Sequence, residues 1–190
     1  MTQKRLFIIH GYTATPQNHW FNWLKAQAGL LGMEVIVPAL PNTTAPQESE
    51  WVAELARQVG TVDENTWFVG HSLGCITVLR FLSRQQHVAA GIIMVSGFSE
   101  PVDRLPELDG FTATPLDNLQ VISKIPHRAV IASLDDDIVP ADYSLRLSQQ
   151  INAPLFGLPN GGHFLDRQGF DTLPLVADLL NQYHRQEQNQ

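Results

Sequence analysis

Apolar runs and helically spaced apolar positions take turns along the chain, and each predicts one element. Leu6 to Ile9 is a continuous apolar run with β-branched residues, which suits a strand buried on both faces. Met33 to Val37, Thr66 to Val69, Gly91 to Ser96, Arg128 to Ser133 and Pro154 to Leu158 are read as further strands. Thr15-Pro16 has the look of a helix start, with threonine as cap and proline in the first helical position. Trp20, Trp23, Leu24, Gln27 and Leu31 follow it at helical spacing. Trp51, Val52, Leu55, Ala56 and Val59 mark a second helix. Leu73, Cys75, Ile76, Val78, Leu79, Phe81 and Leu82 are apolar nearly all round, as in a buried helix. Pro140 opens a helix carrying Leu145, Leu147 and Ile151, and Leu173, Val176, Leu179 and Leu180 give the last helix its apolar face. His184 to Gln190 is polar and is expected to fray. Gly97 to Leu116 holds Pro101, Pro106 and Pro115 and reads as irregular, the one segment able to cover a site.

Strand and helix in alternation, with continuous apolar strands, predict a six-stranded parallel sheet with helices on both faces. No linker divides the sequence, so residues 1–190 are expected to form a single α/β domain without a large cap. Ligands in such sheets bind beyond the carboxyl ends of the strands.

Charge and cysteine content narrow the function. The formal net charge is -7, which argues against nucleic acid or an anionic membrane as partner. No apolar run approaches the roughly 20 residues that span a bilayer. Leu6 to Ile9, behind Lys4-Arg5, is too short for a secretory signal core, so the expected compartment is the cytoplasm. The single cysteine, Cys75, can form no intrachain disulfide and falls in the apolar helix as a core residue.

The chemistry centres on Gly70-His71-Ser72-Leu73-Gly74, a G-x-S-x-G nucleophile elbow between a predicted strand and a predicted helix. A serine on so sharp a turn presents its hydroxyl in a strained backbone conformation. Side chains two residues before or after it would strike the neighbouring helix and strand, hence the glycines. The first helical N–H, that of Leu73, is then free to hold an oxyanion. The position of Tyr12, directly after the first strand, suggests its N–H as the second donor.

A serine needs a base. Of seven histidines, His163 follows a strand on the glycine-rich loop Gly161-Gly162-His163 at the right edge. His71 is expected to face away from the nucleophile, and His10 to support the loop after the first strand. His19, His87, His127 and His184 lie in or beside polar stretches and read as surface residues. The candidate acid is in Asp135-Asp136-Asp137, a run equally suited to a solvated turn or to a helix cap near Pro140. A metal site there lacks further obvious ligands. In an extended loop Asp135 and Asp137 would share a direction and Asp136 oppose them. Serine, then aspartate, then histidine is the α/β-hydrolase order.

Taken together, these motifs resemble the small α/β-hydrolases of the retinoblastoma-binding protein 9 / YdeN family. The likeness runs through His10-Gly11, Trp20 with Trp23-Leu24, the elbow, Ser133-Leu134-Asp135-Asp136 with Val139-Pro140, and Gly162-His163-Phe164. It implies serine hydrolase activity through Ser72, Asp136 and His163, with no cofactor and no large lid. The Leu-x-Cys-x-Glu stretch linked to retinoblastoma-protein binding is absent; Leu73-Gly74-Cys75-Ile76-Thr77 lacks the glutamate. The expected partner is a small-molecule acyl substrate, a carboxylic ester first, with thioesters and amides as alternatives. The other function class is a hydrolase-like fold serving only as a binding module.

Overall fold

The structure is a computed structural model that describes residues 3–188. Its strands are β1 (Arg5–Ile9), β2 (Glu34–Ile36), β3 (Thr66–His71), β4 (Gly91–Val95), β5 (His127–Ser133) and β6 (Leu155–Leu158). They form one six-stranded sheet in the order β2-β1-β3-β4-β5-β6, and every pairing is parallel. The register sets Ile9 beside Gly70, His71 beside Val95, and Val95 beside Ile131. The central strands therefore end level, and the loops that leave them share one edge.

Side chains alternate across the sheet and feed two cores. Phe7, Ile9, Phe68, Ile92 and Met94 pack under α2 (Glu48–Val59), α3 (Leu73–Ser83), α4 (Asn118–Lys124) and α5 (Ala141–Gln150). Leu6, Ile8, Trp67, Val69 and Ile93 pack under α1 (Phe21–Leu30) and α6 (Pro174–Gln188). Every residue of α3 from Leu73 to Leu82 is buried, as its apolar circumference requires. Arg80 is the charged residue in that helix. Its guanidinium donates to the carbonyls of Phe111, at 2.9 Å, and Thr114.

That contact changes the picture of the 97–116 segment. It folds into a 3₁₀ turn over Pro106–Phe111, with Leu108 and Phe111 buried against the α3 side of the core. Three other expectations are corrected. The first helix begins at Phe21 rather than at Thr15-Pro16. Asn18 Oδ1 accepts hydrogen bonds from Thr15 N–H at 2.7 Å and from the Thr15 hydroxyl at 2.9 Å, closing a side-chain turn, and His19 at φ 56° keeps the chain out of the helix. α4 appears where the sequence showed no helix, capped by Asp117, whose side chain accepts from Gln120 N–H. α6 runs on to Gln188, so 184–188 is helix and not a frayed tail; Lys4 Nζ and His184 Nδ1 lie 2.9 Å apart beside it. The last two positions of the expected tail, Asn189 and Gln190, lie outside the described residues. No described helix is long and apolar enough to cross a membrane.

Candidate active site

β3 carries the chain to the shared edge and turns it at Ser72, which sits at φ 54°, ψ −121°. A side chain there in the left-handed half of the map is strained, and the surroundings hold it in place. Ser72 N–H donates to Val95 O at 2.9 Å. A Cβ on Gly70 would lie 2.8 Å from Cys75 Cα, and one on Gly74 would overlap the Ile9 carbonyl, so the two glycines let strand and helix close on the serine. The Ser72 side chain does not cap α3. The helix thus begins at Leu73 with its first N–H groups unclaimed by that hydroxyl.

The loop after β1 lies against the same serine. A Cβ on Gly11 would be 3.0 Å from Ser72 Cβ and 3.5 Å from Ser72 Oγ. Tyr12 follows directly, and among the described residues its N–H donates to no protein acceptor. His10 braces this loop as expected. Its Nδ1 lies 3.0 Å from Gly11 O and its Nε2 accepts from Leu40 N–H at 3.1 Å. Burial lowers the His10 pKa, which favours this neutral form.

The aspartate run divides its tasks. Asp136 is buried, and its Oδ2 lies 2.8 Å from His163 Nδ1. Its Oδ1 accepts from Ile138 N–H at 3.0 Å and Val139 N–H at 2.9 Å. A carboxylate can only accept, so Nδ1 carries the imidazole proton and Nε2 is left as the basic atom. Asp135 instead accepts from the Ser133 hydroxyl at 2.5 Å, Gly161 N–H at 2.9 Å and Gly162 N–H at 2.8 Å. These donors, the hydroxyl first, pull its pKa down to about 2. It ties the loop that bears His163. Asp137 is exposed. The loop is a turn rather than extended chain, with Asp136 N–H bonded to Ser133 O, so strict alternation of direction does not apply to it.

Ser72 and His163 both line a cavity of about 410 Å³, together with Gly11 and Tyr12. Leu105, Ile138 and Leu165 supply apolar wall. Among the described residues Ser72 and His163 share this cavity without a hydrogen bond between them. His71 lies on the same cavity, buried, with its ring centroid 5.0 Å from that of His163. Burial, and secondarily the neighbouring His163, push its pKa well below the usual histidine range.

The remaining histidines divide. His87 is exposed. His19 is not a plain surface residue: it lines the cavity, packs 5.4 Å from the His71 ring, and its Nδ1 accepts from Asp166 N–H at 3.1 Å. Burial lowers its pKa against the opposing pull of Asp166. His127 packs against two rings that also touch each other, stacked on Trp67 at 5.6 Å and tilted against Tyr183 at 4.9 Å. Cys75 is fully buried behind the elbow, and burial pushes its thiol pKa up, away from reactivity. Among the described residues no group of three or more His, Cys, Asp or Glu is placed to hold a metal ion.

Known proteins resemble this chain over most of its length. YdeN of Bacillus subtilis (strain 168) is 44% identical over 186 residues, 97% of this chain and 98% of its own. The crystal structure of the ydeN gene product superposes with a TM-score of 0.92 over 95% of this chain and 98% of that one. The serine hydrolase RBBP9 of Rattus norvegicus is 23% identical, covering 85% of this chain and 86% of its own length. Residues 6–182 match the family described as serine hydrolase. A match of that span, with the elbow and its six-stranded sheet inside it, means that this chain belongs to the serine hydrolase family and is a hydrolase of the α/β-hydrolase fold.

Proposed function

We propose that this hydrolase cleaves small carboxylic esters through an acyl-enzyme on Ser72, with His163 as base and Asp136 as its orienter. One observation carries the reading: Asp136 holds His163 Nδ1 at 2.8 Å on the wall of the cavity that the strained Ser72 enters. Ser72 Oγ attacks the acyl carbon while His163 Nε2 takes its proton. The charge that develops on the carbonyl oxygen is held by Leu73 N–H, at the start of α3, and Tyr12 N–H. His163 then hands the proton to the leaving alkoxide oxygen as the carbon–oxygen bond breaks. Water enters, gives its proton to His163, and its oxygen forms the new bond to the acyl carbon; the proton returns to Ser72 Oγ as the acid departs.

A cavity of about 410 Å³ suits a small substrate, and its apolar wall at Leu105, Ile138 and Leu165 suits a short acyl chain. Thioesters and amides enter by the same chemistry with a different leaving atom. The substrate is a free small molecule, and the proposed compartment is the cytoplasm, in keeping with a lone, buried, unpaired cysteine. The test is a series of p-nitrophenyl esters of graded chain length, with fluorophosphonate labelling in parallel. Turnover highest for short chains, with label on Ser72, supports the reading. A folded protein that neither turns over an ester nor takes the label refutes it.

A further inference from the structure

His163 is held by more than its acid. Its main-chain N–H donates to Gln168 Oε1 at 2.9 Å, and the same oxygen accepts from Leu165 N–H at 3.2 Å. Its main-chain carbonyl lies 2.8 Å from His71 Nε2. A carbonyl can only accept, so His71 carries its proton on Nε2 and is the donor. The residue after His163, Phe164, is fully buried at φ 55°, a conformation that a bulky side chain leaves unless its neighbours are fixed. We propose that His71 and Gln168 are positioning residues, which grip the main chain of His163 from its two sides and so aim its imidazole at Ser72.

The role of His71 follows from what its other nitrogen does. Nδ1 is buried and has no partner. A buried, orphaned acceptor is a liability that an apolar residue would not carry, and the bond to His163 O is the gain that offsets it. The ring cannot turn over freely to change partners. Trp20, Phe21 and His19 stand around it with centroids 5.8, 5.9 and 5.4 Å away. Taking a proton on Nδ1 would bury an N–H with nothing to accept it, so His71 stays a neutral donor while His163 becomes imidazolium during turnover. With N–H, C=O and Nδ1 all engaged, the group of His163 left to react is Nε2. Aim matters because a displacement of about 1 Å at the reacting centre can cost on the order of 100-fold in rate.

This inference rests on the proposed role of His163, and its test separates the two. His71→Met and Gln168→Leu remove one grip each; His71→Gln restores a donor and Gln168→Glu restores an acceptor. Kinetics on a p-nitrophenyl ester are read together with the proton NMR signal of the His163 Nδ1–H bound to Asp136. The expected result is a kcat lower by about 10- to 100-fold in the two apolar variants, KM within about threefold, and a weakened Nδ1–H signal. Most of the loss should return in the Gln and Glu variants, which a merely structural role would not require. His71 is buried and its Met variant can fail to fold, but Gln168 is exposed and its pair carries the test alone. A Gln168→Leu protein with kcat within about twofold of the parent and an unchanged signal overturns the proposal, as does Gln168→Glu performing no better than Gln168→Leu. If the parent hydrolyses no ester, the functional reading falls, while the Nδ1–H signal, which needs no turnover, still shows whether the grip exists.

Discussion

Replacing Asp136 by asparagine keeps the shape of the site and reverses one proton. Two main-chain N–H groups, of Ile138 and Val139, point at Asp136 Oδ1 at 3.0 and 2.9 Å. An asparagine must turn its carbonyl oxygen to those donors, because an NH₂ there would face two N–H groups. Its NH₂ then faces His163 Nδ1, which has to become the acceptor, and the imidazole proton moves to Nε2. That nitrogen can no longer take a proton from Ser72. A wrong tautomer in a serine triad costs on the order of 10⁴ in kcat, which at about 1.36 kcal/mol per decade is about 5.4 kcal/mol of barrier. Asp135→Asn is the control on the same loop. Its side-chain oxygen can still accept from Ser133, Gly161 and Gly162, so activity should fall by less than about tenfold. Asp137→Asn, at an exposed position, should stay within about twofold. The assay is kcat on a p-nitrophenyl ester at a fixed pH, with folding checked by circular dichroism. Asp136→Asn retaining more than about one part in a hundred of parental kcat would refute the tautomer argument, and a larger loss in Asp135→Asn would place the orienting role on that residue instead.

Ser72→Ala should abolish fluorophosphonate labelling and lower esterase kcat by roughly 10⁴ or more, as judged by intact mass and turnover; label appearing on another serine removes Ser72 from its role. Gly74→Ala should destabilise by about 3 kcal/mol or more in urea unfolding, because the new Cβ overlaps the main-chain carbonyl of Ile9 rather than a side chain that can move. Burial depresses the folded-state pKa of His71 and His10, so the unfolded chain gains protons there that the folded chain refuses. Their contribution is complete above the ordinary histidine value of 6.5 and is lost as pH falls below it; His71→Gln should make Tm less steep from about pH 6.5 downward. Asp135 is depressed from 3.8 to about 2, so its contribution is present above 3.8 and lost as pH falls towards 2, a slope that Asp135→Asn should reduce in acid unfolding.

Where the sequence was easy to read, burial and periodicity spoke together. β1, β3 and β4 are continuous apolar runs because helices cover both of their faces, and the observed strands fall within a residue or two of the expected ones. Where it misled, a local signal had two meanings. Thr15-Pro16 can begin a helix, but a threonine three residues before Asn18 can also close a side-chain turn, and nothing in the letters forecasts the positive φ of His19. α4 is short and offers one buried side chain, Val121, while Leu119 is 79% exposed, so no apolar stripe announces it. The polar end of α6 hides its helix for the same reason: without an apolar face the pattern falls silent, although the backbone continues.

The site divides along a similar line. Ser72, the aspartate run and His163 could be found because each lies on the chain that leaves the carboxyl end of a strand, and parallel topology carries all such loops to one edge. What surrounds them could not, because the partners are main-chain atoms. His71 grips a carbonyl and Gln168 an amide N–H, groups that every residue except proline possesses, so neither bond leaves a trace in residue type at the far end. The three aspartates show the same limit within one turn. Their chemistry is identical, and their difference lies in which donors they meet: two glycine N–H groups and a serine hydroxyl for Asp135, the imidazole and two N–H groups for Asp136, and open surface for Asp137. The turn that begins where Asp136 N–H meets Ser133 O sets those directions, and that turn depends on β5 ending at Ser133 beside β6. The sequence thus narrows the proposed acid to one short loop, and the end of a strand selects which carboxylate meets His163.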